Sequence, residues 1–308
     1  MCMKTVKSRL AFLFLMAASL GFLGLASCSK SSGGGGPHDT TVVLLGGYAS
    51  SDSVAAANLL SYWPMDGNVN DVKGSIPGTG VNVAYVPGIR GQAYQGDTNA
   101  YASFTPSAAM AALQSFSVSV WYWQTAQPNG TPNTPQGLFF LADANGADPL
   151  IILENEHYAP VSGDSLRFHT GLTFTAATNY KGFTMETFDT AAIGKWVHLV
   201  MTYNGGTSTY VVYQDALPML NASAYGSNLS TVLLDGPTGS NPQGNINWTS
   251  TPPVEGTIGT WAPGVYGVSA TLGSNGNWVG KIDELRLFNK ALSQQEVTGL
   301  YLNGVVGR

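Results

Sequence analysis

Phe116-Ser-Val-Ser-Val-Trp-Tyr-Trp123 alternates strictly, with a phenylalanine, two valines and a tyrosine on one side and two serines and two tryptophans on the other. This period of two is typical of a β-strand that buries one face. Trp196-Val-His-Leu-Val-Met-Thr-Tyr203 repeats the pattern, and Asn204-Gly205-Gly206 follows it directly. Because asparagine and glycine tolerate the backbone of a tight turn, we expect a hairpin into Tyr210–Tyr213.

Further short strands are indicated along the chain. The candidates are Leu138–Leu141, Ile151–Glu154, Leu166–His169, Thr257–Gly259 and Lys281–Phe288. Only 10% of the residues are charged, while glycine and small polar residues are abundant, which is a composition typical of loop-rich β proteins. The sequence therefore predicts an all-β fold, an antiparallel β-sandwich, over residues 58–308.

One helix is marked near the end of the chain. Ser293-Gln-Gln-Glu296 is a capping box, in which the serine hydroxyl and the glutamate carboxylate each accept the other residue's backbone N–H. Leu292 and Val297 are spaced as a hydrophobic staple, and Asn303-Gly304 predicts the stop. We expect this helix to pack on the sandwich.

Four segments, in order, carry a resemblance to a known family. They are Leu60-Ser-Tyr-Trp-Pro-Met-Asp-Gly-Asn-Val-Asn-Asp71, Phe116–Trp123, Lys195–Gly205 and the strand and helix between Gly280 and Tyr301. Together they resemble the concanavalin A-like, laminin-G-like domains of bacterial secreted proteins. The resemblance implies a jelly-roll sandwich with a short C-terminal helix. Such folds host lectins, glycan-binding modules, adhesive domains and hydrolases alike.

The N-terminus has the order of a secretory signal. Three basic residues precede the uncharged, mostly apolar run Leu10–Leu25, which is shorter than the roughly 20 residues of a spanning helix. The run ends in Leu25-Ala26-Ser27-Cys28, which resembles a lipobox and implies a lipid on the Cys28 thiol. We predict a signal peptide at 1–27, a flexible tether and lead-in at 28–57, and the sandwich at 58–308. The expected location is the cell envelope, at the outer membrane, with the face left open.

Charge and cysteine content narrow the partners. Removing Lys4, Lys7 and Arg9 from the 13 basic residues leaves 10 against 18 acidic residues in the mature chain. No basic stripe is available for phosphates, so nucleic acid is not an expected ligand. Cys2 leaves with the signal peptide, so an acylated Cys28 leaves no thiol for a disulfide. The expected membrane link is the acyl anchor in the lipid bilayer.

A catalytic pair is the first site hypothesis. Glu154 and Glu156 have strand spacing, so both carboxylates could face one cleft at the separation that a retaining glycosidase needs. Jelly-roll glycanases of the laminarinase type carry their acids in a Glu-x-Asp-x-x-Glu run, and the absence of the intervening acid from Glu154-Asn-Glu156 argues against this activity. The alternative is that the two glutamates lie on a strand face that is exposed to solvent and have no catalytic role.

Calcium is the second site hypothesis. The resemblance implies a structural ion where the first turn, which contains Asp66 and Asp71, meets the last strand, and strict alternation puts Asp283 on the core side with Leu285 and Leu287. Because a buried carboxylate needs neutralisation, one structural Ca²⁺ held by Asp66, Asp71 and Asp283 is expected. The alternative is ordinary hydrogen bonding in turns.

Aromatic side chains supply the third site hypothesis. Sugar faces stack on exposed rings, with nearby amides or carboxylates fixing their orientation. The candidate carbohydrate-binding residues are Trp121, Trp123, Trp248, Trp261, Tyr266 and Trp278. Trp63 and Trp196 are expected to be structural, and any of the others could be.

These observations favour a non-catalytic carbohydrate-binding or adhesion module, with a polysaccharide as the expected partner. A module that contacts another protein in a surface complex is the first alternative, and a glycan hydrolase or lyase on the same fold is the second.

Overall fold

A computed structural model of the chain describes residues 43–124, 136–144, 149–155, 166–174, 180–189, 192–219, 231–234, 241–261 and 276–308. Cys28, the tether, Glu156 and Tyr266 lie outside these ranges. The first eight strands are β1 (Leu59–Trp63), β2 (Gly78–Val81), β3 (Ala84–Pro87), β4 (Gln92–Gly96), β5 (Tyr101–Phe104), β6 (Phe116–Gln124), β7 (Gln136–Asp143) and β8 (Ile151–Asn155). The next eight are β9 (Leu166–Thr173), β10 (Tyr180–Asp189), β11 (Trp196–Asn204), β12 (Thr209–Gln214), β13 (Leu217–Pro218), β14 (Thr231–Val232), β15 (Pro253–Ile258) and β16 (Gly280–Phe288). The helices are a 3₁₀ turn (Ser51–Ser53), α1 (Ala108–Ala111) and α2 (Gln294–Val305).

The strands form two antiparallel sheets. Sheet A has the order β13-β12-β11-β6-β16-β4-β3, with β1 also paired to β16 and β14 to β12. Sheet B has the order β10-β9-β8-β7-β15-β5-β2. The predicted hairpin of β11 and β12 is confirmed, with Tyr203 opposite Tyr210. Several strands pair with strands far away in the sequence, as β1 does with β16 and β5 with β15. This arrangement confirms the predicted antiparallel β-sandwich of the jelly-roll type.

The core lies between the sheets. On β6 the alternation holds, because Phe116, Val118, Val120 and Tyr122 all belong to the buried cluster. Trp63 on β1 packs its ring 4.9 Å from Phe104 on sheet B, measured between ring centroids. Each fully buried aliphatic or aromatic side chain contributes about 1.5–3 kcal/mol, so this layer is the main source of stability.

Helix α2 covers part of the outer face of sheet A. The capping box is confirmed: Ser293 Oγ accepts the Glu296 N–H, and Glu296 Oε2 accepts the Ser293 N–H at 2.7 Å. Val297 and Leu300 of α2 pack with Val200 and Phe288 of the sheet. The predicted stop at Asn303-Gly304 is wrong, because Asn303 stays helical. Within the described ranges, no helix has the length and apolar character needed to cross a bilayer.

The lead-in also packs on this side of the molecule. The lead-in from Val43 onward belongs to the same compact unit as the sandwich. Ser51 donates from its backbone N–H and its hydroxyl to the Arg308 carbonyl, at 3.0 and 2.6 Å. Val54 is buried with the α2 residues. These contacts bring the lead-in and the end of α2 together.

Candidate functional site

Asp283 occupies a different face from the one expected. It lies opposite Trp121, whereas Ile282 lies opposite the core residue Tyr122. One extra residue then follows in β16, with Glu284 at a φ of 51°. This β-bulge restores Leu285 to the core but leaves Asp283 on the outer face, so the prediction from strict alternation is wrong.

Three backbone N–H groups donate hydrogen bonds to the carboxylate of Asp283. Its Oδ2 accepts from Ile89 N at 2.8 Å and Arg90 N at 3.2 Å, and its Oδ1 accepts from Glu284 N at 2.8 Å. Burial raises the pKa of Asp283 to about 8, and the three N–H donors oppose that rise. Asp66 holds the same turn through Gln92 N, at 2.7 Å. These two aspartates therefore clamp the turn at residues 88–92.

Asp71 has a separate task in the first turn. Its Oδ1 accepts from the backbone N–H groups of Tyr62, Lys73 and Gly74 at 2.8 to 2.9 Å. Among the described residues, no three acidic, histidine or cysteine side chains are grouped as metal ligands. Asp66 and Asp283 thus accept backbone N–H groups of the turn at residues 88–92 while Asp71 accepts those of the first turn, and the calcium site expected for the three carboxylates stays a prediction.

Glu154 lies on the outer side of sheet B. Its neighbours Ile151 and Leu153 face the core, and Glu154 is 4% exposed, directly across from His169 on β9. Its expected partner Glu156 lies outside the described residues. Of the two glutamates in the proposed catalytic pair, the structure therefore describes only Glu154, which lies across from His169.

Three of the candidate tryptophans are buried. Trp248 donates its indole N–H to the Thr173 carbonyl at 2.6 Å, and Trp278 packs edge-on against Tyr122 at 5.7 Å. Trp121 is 3% exposed and packs against His198 at 4.9 Å and Tyr301 of α2 at 5.8 Å, measured between ring centroids. The hypothesis that these three rings offer a sugar platform is wrong, since packing elements cover them.

Trp261 retains partial exposure. It follows β15 and packs 5.3 Å from Phe140 on the outer side of sheet B. Tyr266 lies outside the described residues.

The remaining candidate, Trp123, belongs to a row of three side chains that we call the indole row. Trp196 on β11 and Lys281 on β16 lie directly opposite Trp123 on either side of β6. Because directly opposite residues point to the same face, all three lie on the outer side of sheet A, and all are partly exposed. From the sequence, Trp196 was expected to be structural. Its register opposite Trp123 instead places it on the partly exposed outer face of sheet A.

A cation lies on the rings of the indole row. Lys281 Nζ is 4.8 Å from the Trp123 ring centroid and 5.9 Å from that of Trp196. At an exposed site such a contact contributes about 0.5–1 kcal/mol, little enough for a flexible lysine to exchange it for a ligand anion. The row thus offers apolar faces and a mobile donor on the central strands of a rigid sheet.

Next to the row, under α2, lies an inaccessible polar layer. His198 is buried with Nε2 2.8 Å from Ser119 Oγ, and burial, aided by Arg286, lowers its pKa to about 3. Arg286 donates to Glu284 Oε2 at 2.6 Å and to Asp52 Oδ1 at 2.9 Å. These contacts join the lead-in to sheet A; His198, Glu284 and Arg286 are buried, whereas Asp52 at the edge of the layer is exposed.

A cleft elsewhere on the molecule was not predicted from the sequence. A cleft of about 490 Å³ lies between the end of α1 and residues 245–249. Its polar lining consists of Gln114, Asn245, Asn247 and Thr249, all exposed. Asn247 Oδ1 already accepts from the Thr249 backbone and hydroxyl. The cleft has the size of a small-ligand site, but the nearest indole, Trp248, is fully buried.

No protein-family model matches the chain, and no curated protein matches it in sequence. Solved structures do match its fold. Domain 4 of AbnA, a GH43 extracellular arabinanase from Geobacillus stearothermophilus, solved in complex with arabinotriose, has a TM-score of 0.50 and 19% identity over 79% of this chain and 98% of that one. The botulinum neurotoxin DC binding domain, solved with rat synaptotagmin II, has a TM-score of 0.50 and 14% identity over 81% of this chain and 52% of that one.

The binding domain of botulinum neurotoxin serotype C1 is similar too, with a TM-score of 0.51 and 13% identity over 80% of this chain and 52% of that one. This chain thus spans about half the length of the neurotoxin domains that it matches. At these identities the likeness shows a shared β-sandwich fold, and a fold alone does not specify what its loops and faces bind.

Proposed function

We propose that the chain is a lipid-anchored protein of the cell envelope whose β-sandwich binds a polysaccharide without turning it over. The observation that carries the proposal is the indole row: Trp123 and Trp196 stand side by side, partly exposed, with Lys281 beside them. Aromatic faces next to a donor are what a sugar ring needs for stacking and orientation.

Two further observations support it. The solved arabinanase domain that shares this fold was bound to arabinotriose, which makes a glycan a natural ligand to test on this sandwich. The lipobox-like Leu25–Cys28 and the glycine-rich tether would hold the sandwich at a membrane, and a polysaccharide bound to the sandwich would be held there with it. The alternative function is that the same surface binds another protein.

The test is a glycan array probed with the mature chain carrying Cys28→Ser, with and without a chelator. We expect binding to at least one polysaccharide, and loss of that signal in Trp123→Ala and Trp196→Ala. Trp261→Ala is the matched control, because it removes a partly exposed indole from the opposite sheet. A blank array would overturn the proposal. Loss of signal only in Trp261→Ala would move the site to sheet B.

A further inference from the structure

Exposed aliphatic side chains are concentrated at one place on the described surface. Scattered exposed aliphatics are ordinary, but a contiguous group marks a contact surface. The group, which we call the apolar stripe, has members that are 36% to 64% exposed: Val43, Leu44, Leu302, Val305 and Val306.

Hydrogen bonds show that the stripe is one surface. Arg308 donates both Nη atoms to the Val43 carbonyl at 3.2 Å, and Asn303 donates Nδ2 to the Leu45 carbonyl at 3.1 Å. The lead-in is therefore held along the last turns of α2. On that helix, residues 302, 305 and 306 are neighbours by their spacing of three and four.

The two segments that carry the stripe contain no acidic side chain. Neither residues 43–51 nor residues 297–308 contain an aspartate or glutamate, although the mature chain has 18 acidic residues. The nearest charged side chain of these segments is Arg308. The nearest acidic residues in sequence, Asp52 and Glu296, lie just beyond these segments and are paired with Arg90 and Lys290. An aliphatic surface with a cation at its edge is compatible with the boundary between lipid headgroups and acyl chains.

The tether itself does not supply a cover for the stripe. Residues 29–41 contain only serine, lysine, glycine, proline, histidine, aspartate and threonine. None of these has a large apolar side chain to place on valines and leucines. The same tether connects Val43 to Cys28 in fifteen residues, a reach of at most about 50 Å.

From these observations we propose that the apolar stripe lies against the membrane that holds the lipid on Cys28, so that the sandwich rests on the bilayer in a fixed orientation. This inference rests on the lipid anchor of the proposed function. The anchor supplies proximity, and the stripe adds apolar contact area too small to bind a membrane without it.

The experiment uses the mature, lipidated chain in phosphatidylethanolamine–phosphatidylglycerol vesicles. Val306→Cys and, as the matched control, Val254→Cys on β15 each receive an environment-sensitive fluorophore; both positions are exposed valines. With Cys2 removed and Cys28 acylated, each variant has a single thiol. Quenching by lipids that carry a spin label at the top of the acyl chain measures proximity to the bilayer.

We expect quenching of the Val306 label to be at least about threefold steeper than that of the Val254 label, because only the former reaches the interface. Equal quenching would overturn the inference while leaving the anchor intact. Concentration-dependent burial of the Val306 label in the lipid-free Cys28→Ser chain would assign the stripe to a second copy instead. Labelling of the chain without an introduced cysteine would reveal a free Cys28 thiol and so refute the anchor itself.

Discussion

His198 links the stability of the sandwich to pH. In the folded chain its imidazole is buried between Trp121 and Ser119, and its pKa falls from 6.5 to about 3. Between these values the unfolded chain binds a proton that the folded chain does not. The contribution of neutral His198 to the free energy of unfolding is therefore complete above pH 6.5 and is lost as the pH falls towards 3.

The size of the loss follows from the two pKa values. At about pH 5 protonation favours the unfolded chain by RT ln(1 + 10^1.5), which is about 2 kcal/mol, whereas the effect is nearly absent at about pH 7. Asp283, whose folded pKa is raised to about 8, contributes in the same window with the opposite sign, because its stabilising proton is lost as the pH rises, so the contribution of His198 has to be isolated by comparison with a His198 variant.

Urea unfolding, followed by tryptophan fluorescence between about pH 7 and about pH 5, measures this loss. We expect the free energy of unfolding to fall by about 2 kcal/mol more in the wild type than in His198→Gln, since the other histidines are common to both proteins. The glutamine variant will be less stable throughout, but the difference in slope carries the result. Identical pH dependence in the two proteins would refute the burial of His198 under α2.

Four other substitutions test the packing on which the site depends. Trp248→Ala should cost about 3–5 kcal/mol because it empties a fully buried indole site, whereas Trp196→Ala should cost much less; thermal melting of both variants decides between a structural and a surface role. Ser293→Ala should cost about 1 kcal/mol in urea unfolding through loss of the α2 cap, and no change would mean that the capping box is not formed. Arg286→Ala should cost about 3 kcal/mol because it removes the closer of the two cations beside buried Glu284 and leaves only Arg90, at 3.7 Å, and a cost below about 1 kcal/mol would contradict that burial.

Local pattern was enough to predict much of the fold. The strand at Phe116–Trp123 and the hairpin after Trp196 depend on alternation and on turn residues that are adjacent in the chain. The cap at Ser293 likewise depends on residues three apart. In each case the physical determinant lies within a few residues, so reading the sequence recovers it.

The errors arose where the determinant is distant or irregular. Asp283 was placed on the core side because a bulge at Glu284, a non-glycine residue with positive φ, leaves no clear mark in the sequence. Trp121 and Trp123 share a face of one strand, yet α2 covers only the first. Which outward-facing ring stays accessible depends on the tertiary position of another element, and a strand's own pattern does not contain that information.

The most direct test of the proposed function is calorimetric titration of the mature Cys28→Ser chain with the best polysaccharide from the array. Trp123→Ala and Trp261→Ala are titrated in parallel. We predict that Trp123→Ala weakens the affinity at least about tenfold, about 1.4 kcal/mol, while Trp261→Ala binds like the parent chain. Unchanged affinity in Trp123→Ala, in a variant that remains folded, would contradict the indole row as the binding surface.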